Sequence, residues 1–137
     1  MSTSYTGGCA CGAVRYEFSA EPIVMVDCQC RQCQRLTGGG HGSYMTFSGG
    51  DPKIEGEART YETVGDGGTV KSCGFCPTCG SPLFISFPAM PGILAVHAGS
   101  LDDPGRYKPA FATWHASAHA WDHLDPALQT FDKMPPA

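Results

Sequence analysis

Cysteine is the residue type whose spacing could do chemistry in this chain. The eight cysteines fall into groups: Cys9-x-Cys11, Cys28-x-Cys30-x-x-Cys33, and Cys76-x-x-Cys79 with Cys73 just upstream. A Cys-x-x-Cys-Gly run such as Cys76 to Gly80 is a zinc knuckle, in which two thiolates face one ion and turn N–H groups bond the sulfurs. Gly80 suits the positive φ of such a turn. A closed tetrahedral site needs four ligands, and Cys9 and Cys11 complement Cys76 and Cys79. Cys28, Cys30 and Cys33 then stand alone, three ligands that leave a fourth position for water or substrate. Cys73 as their fourth ligand gives instead a second structural site, and a thiol-based redox role for the trio is a further alternative. Clustering at ligand spacings argues against eight merely buried thiols.

Other polar residues carry weaker signals. His41 follows three glycines and reads as an exposed loop histidine, with a place over the site as the alternative. His97, inside an apolar run, reads as a core histidine. His115, His119 and His123 would share a face on a helix, but the segment from Trp114 to Trp121 reads partly as an extended strand, so that spacing is accidental. Asp27 adjoins Cys28 and is a candidate to support it. Trp114 and Trp121 read as core or rim aromatics.

The elements that must position these groups are mostly strands. Val14, Tyr16 and Phe18 alternate with Arg15 and Glu17, and Leu83, Ile85 and Phe87 alternate with Phe84 and Ser86. Pro22 to Cys28, Gly42 to Phe47, Arg59 to Thr63 and Ile93 to Ala98 are further strands. Gly49-Gly50-Asp51-Pro52, Gly65-Asp66-Gly67-Gly68 and Asp102-Asp103-Pro104-Gly105 break them, with Gly67-Gly68 as a hairpin tip. Helix is expected only at Arg31 to Thr37 and Pro126 to Phe131. With 137 residues, 18 Gly, 11 Pro and no linker, residues 1–137 read as one mainly β domain. A net charge of -4 without a basic stripe argues against nucleic acid as partner. Met1 to Tyr5 lacks a signal-peptide pattern and no apolar run is long enough to span a bilayer. The expectation is a cytoplasmic protein with reduced thiols, no disulfides and no membrane partner.

Gly8-Cys9-x-Cys11-Gly12-x-Val14-x-Tyr16 resembles the opening motif of the glutathione-dependent formaldehyde-activating family, which includes centromere protein V. Cys28-x-Cys30-x-x-Cys33 with Gly38, Phe75-Cys76-x-x-Cys79-Gly80-Ser81-x-Leu83, and Ala98-Gly99-Ser100-Leu101-Asp102 resemble its later motifs. Pro109, Trp121 and Phe131-x-x-x-Pro135 resemble its C-terminal pattern, so the likeness runs from about Tyr5 to Pro135. The resemblance implies several coiled antiparallel sheets (a β-tent, zinc-ribbon-like) held by a tetra-cysteine zinc site. It implies two zinc ions, a structural one on Cys9, Cys11, Cys76 and Cys79 and a catalytic one on Cys28, Cys30 and Cys33. Zinc is preferred over iron on the preference for four thiolates and on this family resemblance, not on spacing alone. It implies a carbon–sulfur lyase that joins glutathione and formaldehyde into an S-hydroxymethyl adduct. Two positions depart from the family pattern. Gln29 replaces a frequent His and removes a proton carrier, and Cys73 replaces a frequent Arg that would suit a glutathione carboxylate.

A free thiol is mostly protonated at neutral pH, and coordination would ionise it for attack on a small aldehyde. Three thiolate ligands weaken the Lewis acidity of the ion, so thiolate delivery is favoured over carbonyl activation. The alternatives to an enzyme are a non-catalytic zinc module that binds a partner protein, and a redox or metal-handling protein.

Overall fold

The computed structural model describes residues 4–49 and 52–136. Gly50 and Asp51 of the expected Gly49–Pro52 turn, and Met1 to Thr3 of the N-terminal stretch, lie outside the described residues. The strands are β1 (Tyr5–Gly8), β2 (Arg15–Phe18), β3 (Val24–Cys28), β4 (Gly42–Ser48), β5 (Lys53–Glu55), β6 (Arg59–Val64), β7 (Val70–Phe75), β8 (Pro82–Ser86), β9 (Ile93–His97) and β10 (Phe111–Thr113). Among the described residues the one α-helix, α1 (Arg31–Thr37), follows β3.

The protein is mainly β, and the strands form two sheets. The first has the order β1-β2-β5 and the second β10-β3-β4-β9-β8-β7-β6. Pairing is antiparallel except between β10 and β3, which run parallel. The exception to the all-antiparallel expectation follows from the long excursion after β9, which carries the chain back to the start of β3 before β10 is laid down. The alternation read from the sequence is reproduced in β2, where Val14, Tyr16 and Phe18 are buried and Arg15 and Glu17 are not. In β8, Leu83, Phe84 and Ile85 are all buried, so both faces of that strand are covered.

The core divides in two. One cluster joins Tyr5, Val14, Tyr16, Phe18, Met45 and Phe47 under the small sheet, with Phe18 and Phe47 stacked at 4.1 Å. The other gathers Cys30, Cys33, Tyr44, Cys73, Ile85 and Ala95. The Gly67-Gly68 tip holds as expected: Gly68 N–H donates to the Gly65 carbonyl and the β6–β7 hairpin closes around it.

Two expected elements differ. Pro126 to Phe131 does not form a helix, because Asp125 draws the backbone into a turn by accepting from Ala127 N–H, and Phe131 N–H is taken by the Ala112 carbonyl. The segment after β10 is not extended. Trp114 takes a left-handed φ of 57°, one 3₁₀ turn follows at His115–Ser117, and Trp114 N–H and His115 N–H bond the Lys133 and Phe131 carbonyls. Among the described residues no helix is long and apolar enough to cross a membrane.

Candidate metal centre

The structure brings Cys9, Cys11, Cys76 and Cys79 together, with their sulfurs within 4.8 Å of one another. Cys9 Sγ is 3.6 Å from Cys11 Sγ, and Cys11 Sγ is 3.7 Å from Cys76 Sγ. A tetrahedron with metal–sulfur bonds of about 2.3 Å has edges of about 3.8 Å, so these spacings fit one thiolate-bound ion. The knuckle has the expected turn: Gly80 has φ 78°, Gly80 N–H donates to the Cys76 carbonyl, and Thr78 N–H points at Cys76 Sγ at 3.4 Å. Val14 N–H donates to Cys9 Sγ at 3.2 Å. Ser81 Oγ lies 3.1 Å from Cys79 Sγ and accepts from Ala10 N–H, which locks the two cysteine pairs together.

The hydrogen bonds separate the acidities of these thiols. The Val14 N–H lowers Cys9, and Ser81 lowers Cys79 to about 5. At Cys11 the Ala13 N–H works downward, but Cys9 and burial outweigh it and push the thiol up to about 11. Without a cation the four sulfurs therefore cannot all be ionised, whereas a metal supplies the charge that lets them be.

Cys28, Cys30 and Cys33 form the second cluster, also within 4.8 Å of one another. Cys28 closes β3, Cys30 caps α1 and Cys33 lies in its first turn. The cap is made by sulfur: Cys30 Sγ accepts from Cys33 N–H at 3.3 Å, and ψ of 156° at Cys30 turns the extended chain into the helix. Gly38 ends the helix with φ 77°. Cys30 and Cys33 are almost wholly buried and Cys28 is half-buried. Hydrogen bonds with Cys30 and Cys33 lower the Cys28 thiol, while hydrogen bonds with Cys28 and Cys30, and then burial, raise Cys33. This crowding again calls for a cation. Both clusters could hold metal ions.

Cys73 packs in the same core cluster as Cys30 and Cys33, but its sulfur is not part of the group of three within 4.8 Å of one another. Burial pushes its thiol up, and its neighbours are Gln32 Nε2 at 3.9 Å and Tyr61. The sequence reading also missed Tyr44. Its hydroxyl donates to Cys33 Sγ at 3.0 Å, in space that exists because residue 42 is glycine: a Cβ there would sit 2.2 Å from the Tyr44 oxygen. The Gly42-x-Tyr44 spacing was the available signal, since residues two apart in a strand share a face.

The loop between Cys28 and Cys30 is held by polar side chains. Gln29 is buried; its Nε2 donates to Asp122 Oδ2 at 3.1 Å, and its Oε1 accepts from His115 Nδ1 at 2.8 Å. His41 is no free loop histidine: its Nδ1 lies 2.9 Å from both Asp122 oxygens. Burial opposes the charge on Asp122, but hydrogen bonds from Gln29 and His41 outweigh it and lower its pKa. Gly40 permits the approach, because a Cβ there would lie 2.3 Å from the Asp122 carboxyl carbon. Gln34 ties the helix to the same segment by donating to the Gln29 and Ser117 carbonyls, while its Oε1 accepts from His119 Nε2. His115 and His119 thus serve one network without sharing a helix. Asp27 accepts from Ser43 and Tyr107 and braces the end of β3.

His97 is a core histidine, as read, set edge-on to Tyr44 at 5.1 Å, and burial lowers its pKa to about 4. Trp121 is exposed and stacks on His119, while Trp114 borders a cavity of about 360 Å³ that opens beside the three cysteines.

Residues 4–117 match the family described as glutathione-dependent formaldehyde-activating enzyme. A protein of Halomonas elongata, named "Putative glutathione-dependent formaldehyde-activating enzyme", is 34% identical over 105 residues, covering 70% of this chain. The match spans 64% of that relative's length. A crystal structure of a Rhodobacter sphaeroides protein shares the fold with a TM-score of 0.55 at 24% identity, over 71% of this chain and 87% of that one. A match over residues 4–117, on a fold that gathers the same cysteines, makes this chain a member of the glutathione-dependent formaldehyde-activating family.

Proposed function

We propose that this protein is a zinc-dependent carbon–sulfur lyase of the cytoplasm, acting on the adduct of glutathione or a similar thiol with a small aldehyde. The observation that carries the reading is the asymmetry between the clusters. Four thiols close one, and three thiols form the other beside a cavity. Cys9, Cys11, Cys76 and Cys79 would hold a structural zinc, and Cys28, Cys30 and Cys33 a catalytic one. When bound there, zinc supplies a low-pKa position at which an incoming thiol ionises.

The chain's own groups do the rest. Tyr44 donates to Cys33 and fixes that sulfur's orientation. Gln29 and Gln34 hold the cysteine loop from behind, the outer support that metal ligands generally require. Gln29 cannot carry a proton, so the proton gained by the aldehyde oxygen comes from the thiol itself through water. In the forward sense a carbon–sulfur bond forms, the carbonyl π bond breaks, and the thiol proton ends on oxygen.

Zinc content of protein purified under reducing conditions tests the reading. Two zinc ions per chain are expected, one of them exchanging faster or changing its spectrum on adding glutathione. Two ions indifferent to thiol would sink the lyase reading in favour of an interaction module. A single ion would leave Cys28, Cys30 and Cys33 as redox thiols.

A further inference from the structure

The cavity beside the three cysteines offers more apolar surface than formaldehyde can use. Val26, Ile85, Phe87, Ile93, Phe111 and Trp114 wall it. Among the described residues, the charged side chains that border it are Asp66 and Lys71. Lys71 Nζ already donates to Gln32 Oε1 at 3.1 Å, and Asp66 accepts from Arg31 N–H at 3.3 Å. Glutathione carries two carboxylates and an ammonium group, and burying those charges unpaired among such walls is prohibitive. Next to the cavity, with Asp66 as common border, lies a cleft of about 340 Å³ lined by Arg31, Gln32 and Arg35. Apart from Lys71 at the cavity's border, the nearby cations for the thiol's carboxylates, Arg31 and Arg35, line this neighbouring cleft rather than the apolar cavity.

We infer that the aldehyde partner bears a branched-aliphatic or phenyl group that fills this cavity, while the charged ends of the thiol lie toward Arg31 and Arg35. The inference rests on the thiol–aldehyde reading above and narrows its substrate class. The reaction keeps the same balance, now yielding a secondary alcohol carbon bonded to sulfur, with no change of oxidation state overall. Formaldehyde, with one carbon, would leave Phe87, Ile93 and Trp114 without a contact.

Exchange NMR on the zinc-loaded full chain tests this, with glutathione and either isovaleraldehyde or formaldehyde. The specificity constant for isovaleraldehyde is expected to exceed that for formaldehyde by roughly 250-fold, since each of its four additional carbons, when buried, adds about fourfold. A second readout does not need catalysis: isoamyl alcohol, which cannot react, should shift the methyl resonances of Met90 and Met134, which border the cavity, and spare Met25, which does not. Ala95→Leu, which narrows the cavity, should cut the preference about tenfold. Should that variant fail to fold, Ile93→Asp puts a charge in the wall and should do the same. Equal or better use of formaldehyde, with no methyl shifts, overturns the inference and leaves the thiol–aldehyde reading standing. Methyl shifts without acceleration of either adduct overturn that reading while supporting the apolar preference of the cavity.

Discussion

At the scale of single residues, the side chains around the cysteines matter as much as the cysteines. Asp122 is the hub, bonded to Gln29 and His41 and almost out of contact with solvent. Asp122→Ala should weaken zinc binding at Cys28, Cys30 and Cys33 by roughly 10- to 100-fold, the usual effect of losing an outer support. Competition with a chromophoric chelator would measure it, and unchanged affinity would remove Asp122 from the site's support. His97 makes a different prediction. Its folded pKa is about 4 against 6.5 for the free side chain, so the unfolded chain binds the proton first as pH falls. The stability is whole above pH 6.5 and is lost progressively toward pH 4, by roughly 3 kcal/mol at most. Denaturant midpoints across that range should slope less for His97→Gln than for the parent. Parallel curves would mean that the acid sensitivity lies elsewhere. The grouping of the cysteines was legible because ligand spacing within each run is local and four thiols complete one cluster. Asp122 and His41 were not, because their roles depend on pairings 81 to 93 residues apart that no local pattern encodes, and for Tyr44 only the Gly42-x-Tyr44 spacing gave a signal.

At the scale of elements, β4 is where packing and chemistry meet. Gly42 pairs with Cys28 across β3 and leaves the gap filled by the Tyr44 hydroxyl. Gly42→Ala should destabilise the chain by about 1–3 kcal/mol through overpacking. It should also push Tyr44 off Cys33, whereas Tyr44→Phe removes the bond without the clash. Equal thermal melting of Gly42→Ala and parent would show that Tyr44 has room to move. Strands β2, β3, β4, β8 and β9 were readable from apolar pattern and nearby Gly or Pro, and β6, which is exposed along nearly its whole length, from its composition and the glycine hairpin tip after it. β1, β5 and β10 were not. They have four, three and three residues, too short for periodicity; β1 gains its form from the next strand, and β5 and β10 from partners far along the chain. The false helix at Pro126 to Phe131 had helical composition, but hydrogen bonding to Ala112 overrode that propensity.

At the scale of the whole molecule, the tetra-cysteine cluster joins what strand pairing leaves separate. Among the described residues the strands of the small sheet do not pair with those of the large one; Gly7 of β1 makes an isolated bridge to Leu101, which lies outside both sheets. Cys9 and Cys11 sit on the turn between β1 and β2, and Cys76 and Cys79 on the turn between β7 and β8. Cys79→Ser should therefore lower the melting temperature far more than Cys28→Ser, since structural sites in small zinc modules contribute on the order of 10 kcal/mol. Calorimetry under reducing conditions would decide, and equal losses would contradict the division into structural and functional sites. The parallel pairing of β10 with β3 has its own consequence for synthesis. As the nascent chain emerges, Val24–Cys28 has one neighbour from residue 48 onward, but its other edge stays bare until Phe111–Thr113 appears. Over that interval an apolar strand ending in a ligand cysteine is open to wrong partners. A chain stopped before residue 111 would carry all eight cysteines and still lack the wall that shields three of them.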